Sequence, residues 1–246
     1  MAEDNEEEMY FFIADISGYT SFMVKNQMDH THGILIISAL MKSLIRLVHL
    51  PMEISKLEGD AIFLFLRKKK LSKEFKNNPT LLGQQMLRFF YVFSEKLKKL
   101  ENSTECTCGG CSNIHELTLK IIAHYGKATL SKIGSFRELS GVDVILIHRL
   151  LKNRIKERCY FLMTEPAYNR LFLPSKTSVV KAEEEDKDLG KIPVYVYSPT
   201  IHTVLQEKVH LSFFSRTKSH FQLALGTTLI KLGLKKPLPF HNLPPV

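Results

Sequence analysis

The chain has 246 residues, of which 44% are hydrophobic, with a formal net charge of +9 and four cysteines. That length and apolar content are enough for one large domain with a real core. No run reaches the roughly 18 apolar residues of a membrane span, and the acidic start from Met1 to Glu8 lacks the basic-then-apolar order of an export signal, so a soluble, cytoplasmic protein is expected.

Tyr10 to Ile16 is short, aromatic and β-branched, and is bounded by Ser17-Gly18; it reads as a buried strand with Asp15 at its end. A helical pattern follows at once, so the backbone amides of Ser17, Gly18, Tyr19 and Thr20 fall where a helix N-terminus attracts phosphate. Ile37, Leu40, Leu44 and Leu47 form a helical stripe over Ile34 to Val48, closed from beyond by Pro51. Met52 to Leu57 and Ala61 to Leu66 read as a hairpin around Glu58-Gly59-Asp60, which puts Asp60 at or just past its turn. Leu82, Met86, Phe89, Phe93, Leu97 and Leu100 predict a second long helix.

Leu117 to Tyr125 reads as a strand that Gly126 ends, and Val144, Ile147, Leu151 and Ile155 step as a third helix. Cys159 to Met163 is another strand, Pro166 opens a short helix, Glu183-Glu184-Glu185-Asp186 reads as an acidic loop, and Ile192 to Tyr197 closes the series. Strands and helices in this order, with an antiparallel hairpin in the middle, predict an α+β fold rather than a doubly wound sheet. The expected division is an acidic tail at 1–8, a domain at 9–198 and a basic appendage at 199–246, with an amphipathic helix over Leu223 to Leu234.

Two strand-end carboxylates can hold a pair of magnesium ions, and metal beside phosphate points to nucleotide chemistry. Four segments give the chain its resemblance to the catalytic domain of class III adenylyl and guanylyl cyclases. Phe12 to Thr20 is similar to the first metal motif of that family, and Lys56-Leu57-Glu58-Gly59-Asp60 to its second. Lys120-Ile121-Ile122-Ala123-His124-Tyr125-Gly126 is similar to its Arg-x-Gly-x-His-x-Gly strand, and Leu139-Ser140-Gly141 to Arg149 resembles its Gly-to-Arg helix. The Cys106 to Cys111 segment and the run from Val144 to Asn153 resemble a divergent bacterial branch of cyclase-like proteins, a domain of unknown function.

The resemblance implies a ferredoxin-like cyclase fold with a mainly antiparallel sheet and helices packed on it. It assigns Asp15, Asp60 and the carbonyl of Ile16 to two Mg²⁺ or Mn²⁺ ions, and Ser17 to Thr20 to the phosphates. Lys56 stands where adenylyl cyclases read the purine. Its partner position carries Glu138 in place of the usual aspartate. Arg149 matches the arginine that neutralises the α-phosphate, and either Lys187 or Lys191 matches a late phosphate-binding lysine. Where the family has a ribose-positioning asparagine, this chain has Ile145, which makes no hydrogen bond. His124 matches a strand residue with no catalytic part, expected as packed or hydrogen-bonded core, and His148 receives no role. Family members build the site across two chains, so a symmetric homodimer binding ATP or GTP is implied.

Cys106, Cys108 and Cys111 at short spacing are candidate Zn²⁺ ligands, with His115, Cys159 or another chain as the fourth; a reduced surface loop is the other reading. Basic residues are scattered apart from Arg67-Lys68-Lys69-Lys70 and the tail, so no specific nucleic-acid binding is expected, and the tail is a candidate membrane-surface or protein contact. Three functions stand side by side: a cyclase making 3′,5′-cyclic AMP and pyrophosphate, a cyclase-fold nucleotide sensor, and a scaffold docked by its tail.

Overall fold

The computed structural model describes residues 6–25, 30–49, 51–78, 80–103, 109–174 and 177–199. Cys106, Cys108, the start of the acidic tail and the basic appendage after residue 199, with its expected helix, lie outside the described residues. In chain order the elements are β1 (Glu7–Ser17), α1 (Tyr19–Lys25), α2 (His30–Ile45), β2 (Glu53–Glu58), β3 (Ala61–Arg67), α3 (Lys73–Asn77), α4 (Thr80–Ser103) and α5 (Gly109–Ser112). There follow β4 (Thr118–Ile133), β5 (Phe136–Ser140), α6 (Val142–Arg149), β6 (Tyr160–Thr164), α7 (Glu165–Leu171), β7 (Val180–Asp186) and β8 (Gly190–Tyr197).

The strands form a sheet in the order β2-β3-β1-β4-β6-β8-β7, with β5 paired to the far half of β4. Of these pairings only β4 with β6 is parallel. The expected α+β architecture with a mainly antiparallel sheet is therefore what the chain adopts.

Strand alternation gives the sheet two faces. Tyr10, Phe12, Ala14 and Ile16 of β1 enter a core with Leu40 and Leu44 of α2 and Phe89 and Phe93 of α4. Met9, Phe11 and Ile13 enter a second core with Val144 and Ile147 of α6, Leu150, and Ile192, Val194 and Val196 of β8. Asp15 continues this second series. Lys120, opposite Asp15, and His124, opposite Phe11, stand on the same face, because residues opposite one another in a sheet point the same way.

Several sequence expectations need correction. Gly126 does not end its strand: it sits inside β4, opposite Met9. The acidic run is no loop but the end of β7. Glu184 turns inward there, 5% exposed, and its carboxylate accepts from the Arg154 amide at 3.0 and 3.1 Å, while Glu183 meets Lys191 at 2.9 Å on the outside. The third helix stops at Arg149 and tightens into a 3-10 turn over Leu150–Lys152, short of Ile155. Asn153 breaks it: its amide group donates to the Leu150 carbonyl at 2.8 Å and its side-chain oxygen accepts from the Ile155 amide at 3.0 Å. β1 begins at Glu7, with Glu7 and Glu8 held by Lys69 and Lys68.

In β2 the register against β3 shifts between Ile54 and Lys56, so Ser55 is one residue extra. Beyond that bulge Lys56 stands opposite Phe63 and Glu58 opposite Ala61, both residues of the second face.

Candidate active site

Contrary to the sequence expectation, Asp15 does not end its strand but stands two residues before the end of β1; it pairs across to Ala61, the first residue of β3, so Asp60 in the preceding turn is brought beside it. The Ile16 amide donates to the Asp60 carbonyl at 3.1 Å and fixes the hairpin turn against β1. Burial, together with the negative charge of Asp15 and a hydrogen bond between the two carboxyls, pushes the Asp60 carboxyl up to about 7. Two carboxylates held this close resist carrying two charges unless a cation joins them. The donor set of two carboxyl groups and strand-end carbonyls is oxygen throughout, which suits Mg²⁺ or Mn²⁺.

Lys120, directly opposite Asp15 in β4, places its ammonium 2.8 Å from the Asp15 carboxylate and donates to the Leu151 carbonyl at 3.3 Å. No role was drawn for this lysine from the sequence. The signal was there: antiparallel pairing puts the first residue of the β4 motif across from the last carboxylate of β1.

After Ser17 the chain turns at Gly18, whose φ of +90° favours glycine. A Cβ at Gly18 would also come 2.7 Å from the Arg158 guanidinium, which donates to the Glu116 carbonyl. α1 then starts at Tyr19 and lasts seven residues, so any attraction for phosphate lies with the turn amides of Ser17 to Thr20 more than with a long helix dipole.

The purine-reading candidates meet one another. Lys56 lies 3.3 Å from Glu138, each side chain 38% exposed, as β5 comes alongside β2. Arg149, at the C-terminal end of α6, is 55% exposed and reaches the β7–β8 turn, 3.5 Å from Asp188 and 3.9 Å from Asp186. Lys187 is exposed in that turn, and Lys191, just beyond it, is occupied by Glu183. Ile145, one turn before Arg149, is 53% exposed, and Val142, Ile133 and Phe136 are exposed apolar residues of α6 and the β4–β5 arm.

His124 is buried core, as expected, and burial lowers its pKa below the usual imidazole range. Its Nε2 lies 3.0 Å from an Asp143 oxygen and its Nδ1 2.8 Å from the Thr164 hydroxyl. A carboxylate only accepts, so in the neutral ring the proton sits on Nε2 and Nδ1 accepts from Thr164. The second Asp143 oxygen accepts from the Lys127 amide at 2.6 Å. This locks the start of α6 to β4, and Gly126 is what permits it: a Cβ there would stand 2.1 Å from the Asp143 carboxylate. His148, unassigned from the sequence, packs edge-on against Phe63 and lies 3.6 Å from Glu58.

A family model described as "Protein of unknown function (DUF2652)" matches residues 37–160, half of the chain. The chain belongs to the DUF2652 family. This DUF2652 member is 36% identical over 114 residues to the "Uncharacterized protein Rv2561/Rv2562" of Mycobacterium tuberculosis, a match covering 46% of this chain and 50% of that one. The chain thus spans about half the length of the curated relative it matches. Among solved structures it is similar to a bacterial light-regulated adenylyl cyclase, at 17% identity and a TM-score of 0.57, covering 89% of this chain and 57% of that one. It is also similar to the adenylyl cyclase CyaB from P. aeruginosa, at 13% identity and a TM-score of 0.61, covering 80% and 96%. At such identities the likeness establishes the fold, and the DUF2652 chain has the fold of nucleotide cyclase domains.

Among the described residues no group of three or more His, Cys, Asp or Glu side chains forms a metal cluster, and no helix is long and apolar enough to cross a membrane.

Proposed function

We propose that this DUF2652 protein is a nucleotide cyclase that converts ATP to 3′,5′-cyclic AMP and pyrophosphate at the interface of a homodimer. The observation that supports it most is the juxtaposition of Asp15 and Asp60, with one carboxyl pushed up to about 7, beside Lys120 and the Gly18 turn.

In this reading Asp15, Asp60 and the Ile16 carbonyl hold two Mg²⁺ or Mn²⁺ ions. Held there, the ions would supply charge neutralisation on the triphosphate and a more acidic 3′-hydroxyl. Asp60 gives up its proton on loading, and Lys120, released from Asp15, turns to a phosphate oxygen alongside the Ser17 to Thr20 amides. Lys56 and Glu138 part to read the adenine, the ammonium donating to a ring nitrogen and the carboxylate accepting from the amino group. Arg149 leaves Asp188 to neutralise the α-phosphate, with Lys187 or Lys191 on the leaving pyrophosphate. The 3′-oxygen forms its bond to the α-phosphorus as the bond to the bridging oxygen breaks, and its proton passes to water or substrate. Lys56, Glu138 and Arg149 serve the partner's aspartates, and the exposed Ile133, Phe136 and Val142 are the surface a second copy covers.

Ile145 favours a second reading, a nucleotide sensor of the same fold that binds without efficient turnover. The basic tail is proposed as a membrane-surface or protein contact, read by salt-sensitive binding to anionic vesicles. Cys106, Cys108 and Cys111 are proposed as thiolate ligands of a structural Zn²⁺.

The test is incubation of the protein with ATP or GTP and Mg²⁺ or Mn²⁺, with cyclic nucleotide and pyrophosphate quantified by mass spectrometry against Asp60→Ala. Product that needs Asp60 is expected and names the base. Metal-dependent ATP binding with no product replaces the enzyme by the sensor.

A further inference from the structure

One carboxylate stands where two parts of the candidate site leave the sheet. β4 keeps β1 as its partner as far as Ala128, opposite Glu7, and from Thr129 onward its partner is β5, which carries Glu138. The chain then passes through Gly141 into α6, which carries Arg149. Asp143, the second residue of α6, reaches back to the fork: one of its oxygens lies 3.0 Å from His124 Nε2, and the other accepts from the Lys127 amide at 2.6 Å. The fork is shaped for these contacts. Gly126 leaves room for the carboxylate, and a Cβ at Gly141 would press on the Lys127 carbonyl at 3.2 Å. The buried His124 ring lies nearly parallel to Phe11, 6.2 Å between centroids, and its Nδ1 takes the Thr164 hydroxyl at 2.8 Å, so Nε2–H is held towards Asp143.

We infer that Asp143 is a positioning residue: through His124 and the Lys127 amide it holds α6 and the β4–β5 arm as one unit, and so sets the spacing between Arg149 and Glu138. This rests on the cyclase reading, in which those two residues are lent together to the partner's aspartates and must span one nucleotide. Asp143 itself touches no reacting atom. Its part is to keep two elements of one chain in register for a site completed by another.

The chemistry of the fork separates two substitutions. A carboxylate offers an acceptor to each of the two donors, whereas an amide offers one acceptor and one donor. Asp143→Asn keeps the fork when its oxygen takes the Lys127 amide and its NH₂ donates to Nε2 of His124. The ring proton then moves to Nδ1, and the Thr164 hydroxyl accepts it. Asp143→Ala keeps neither contact.

In the full chain, Asp143→Ala should lower kcat roughly 10²-fold while Mn²⁺ affinity, read by electron paramagnetic resonance, stays at the wild-type value. By hydrogen exchange, α6 and residues 127–140 should both exchange roughly tenfold faster, with β1 and β3 unchanged. Asp143→Asn should restore most of the rate and the protection, and ¹⁵N NMR should show the His124 proton moved from Nε2 to Nδ1. Asp143→Ala chains co-expressed with Asp60→Ala chains should recover product, because the mixed dimer keeps one site with sound aspartates facing a sound Arg149. Co-expressed with Arg149→Ala chains, they should recover none. Recovery with both or with neither overturns the assignment, and so does faster exchange in α6 with the arm unchanged. A wild-type chain that makes no product overturns the cyclase reading instead; hydrogen exchange and the His124 tautomer then decide by themselves whether Asp143 holds the two elements together.

Discussion

The two faces of the sheet are built for different purposes. Beneath α2 and α4 the alternate residues of β1, β3 and β4 are apolar without exception along Phe12, Ala14, Ile16, Leu64 and Ile121. On the other face the same strands, with β2 beside them, interleave Phe11, Ile13 and Phe63 with Asp15, Lys56, Lys120 and His124, and the main helical cover is the eight-residue α6. A face covered so thinly leaves charged groups reachable, so apolar packing is concentrated on one side and accessible charge on the other.

That contrast can be tested from its strongest consequence downward. Changing Asp15 and Asp60 together to Ala should remove any product, a loss of at least about 10³-fold, with Tm followed alongside because the change also leaves Lys120 without its carboxylate partner. Product surviving in the double variant would end the two-metal assignment. On the closed face, Phe89→Ala should cost about 3–5 kcal/mol in urea unfolding, whereas Ile145→Ala on the open face should stay within about 0.5 kcal/mol. Equal costs would dissolve the distinction. Ile145→Asn should raise a slow turnover by roughly 10²-fold; no gain means the ribose is held by another group. Gly126→Ala, by driving Asp143 off His124, should cost about 1–3 kcal/mol and slow turnover by misplacing Arg149, measured by thermal melting beside activity.

The smallest effect is in pH. Asp60 is raised from 3.8 to about 7, so below about 7 an entering metal ion must displace its proton. Mn²⁺ affinity, read by the electron paramagnetic resonance of the free ion, should rise about tenfold per pH unit up to about 7 and then level off; a flat profile removes Asp60 as a ligand. The same raised value means that the protonated carboxyl favours the folded, metal-free chain. This contribution is full below about 4 and is lost as pH rises through about 7.

Much of the fold was legible because periodicity reports burial directly: β1, the β2–β3 hairpin and α4 lie where their apolar spacing puts them. The acidic end of β7 was misread because Glu184 is buried by a backbone partner 30 residues away, which composition does not show. β5 was missed because Phe136 and Ile133 are exposed, so the arm has no apolar alternation to detect. Within the candidate site, Asp15 and Asp60 could be picked out as strand-end carboxylates. Lys120, Arg158 and the meeting of Lys56 with Glu138 depend on pairings between distant strands, and those are settled by tertiary packing.

Ser55, the extra residue of β2, sets the phase of everything after it. Were Ser55 instead paired into the ladder, it would take the place opposite Phe63, and Lys56 would slide opposite Ile62 and swing beneath α2, burying an ammonium among leucines, while the letters Lys-Leu-Glu-Gly-Asp stayed intact. A chain can therefore keep the whole motif and lose the site.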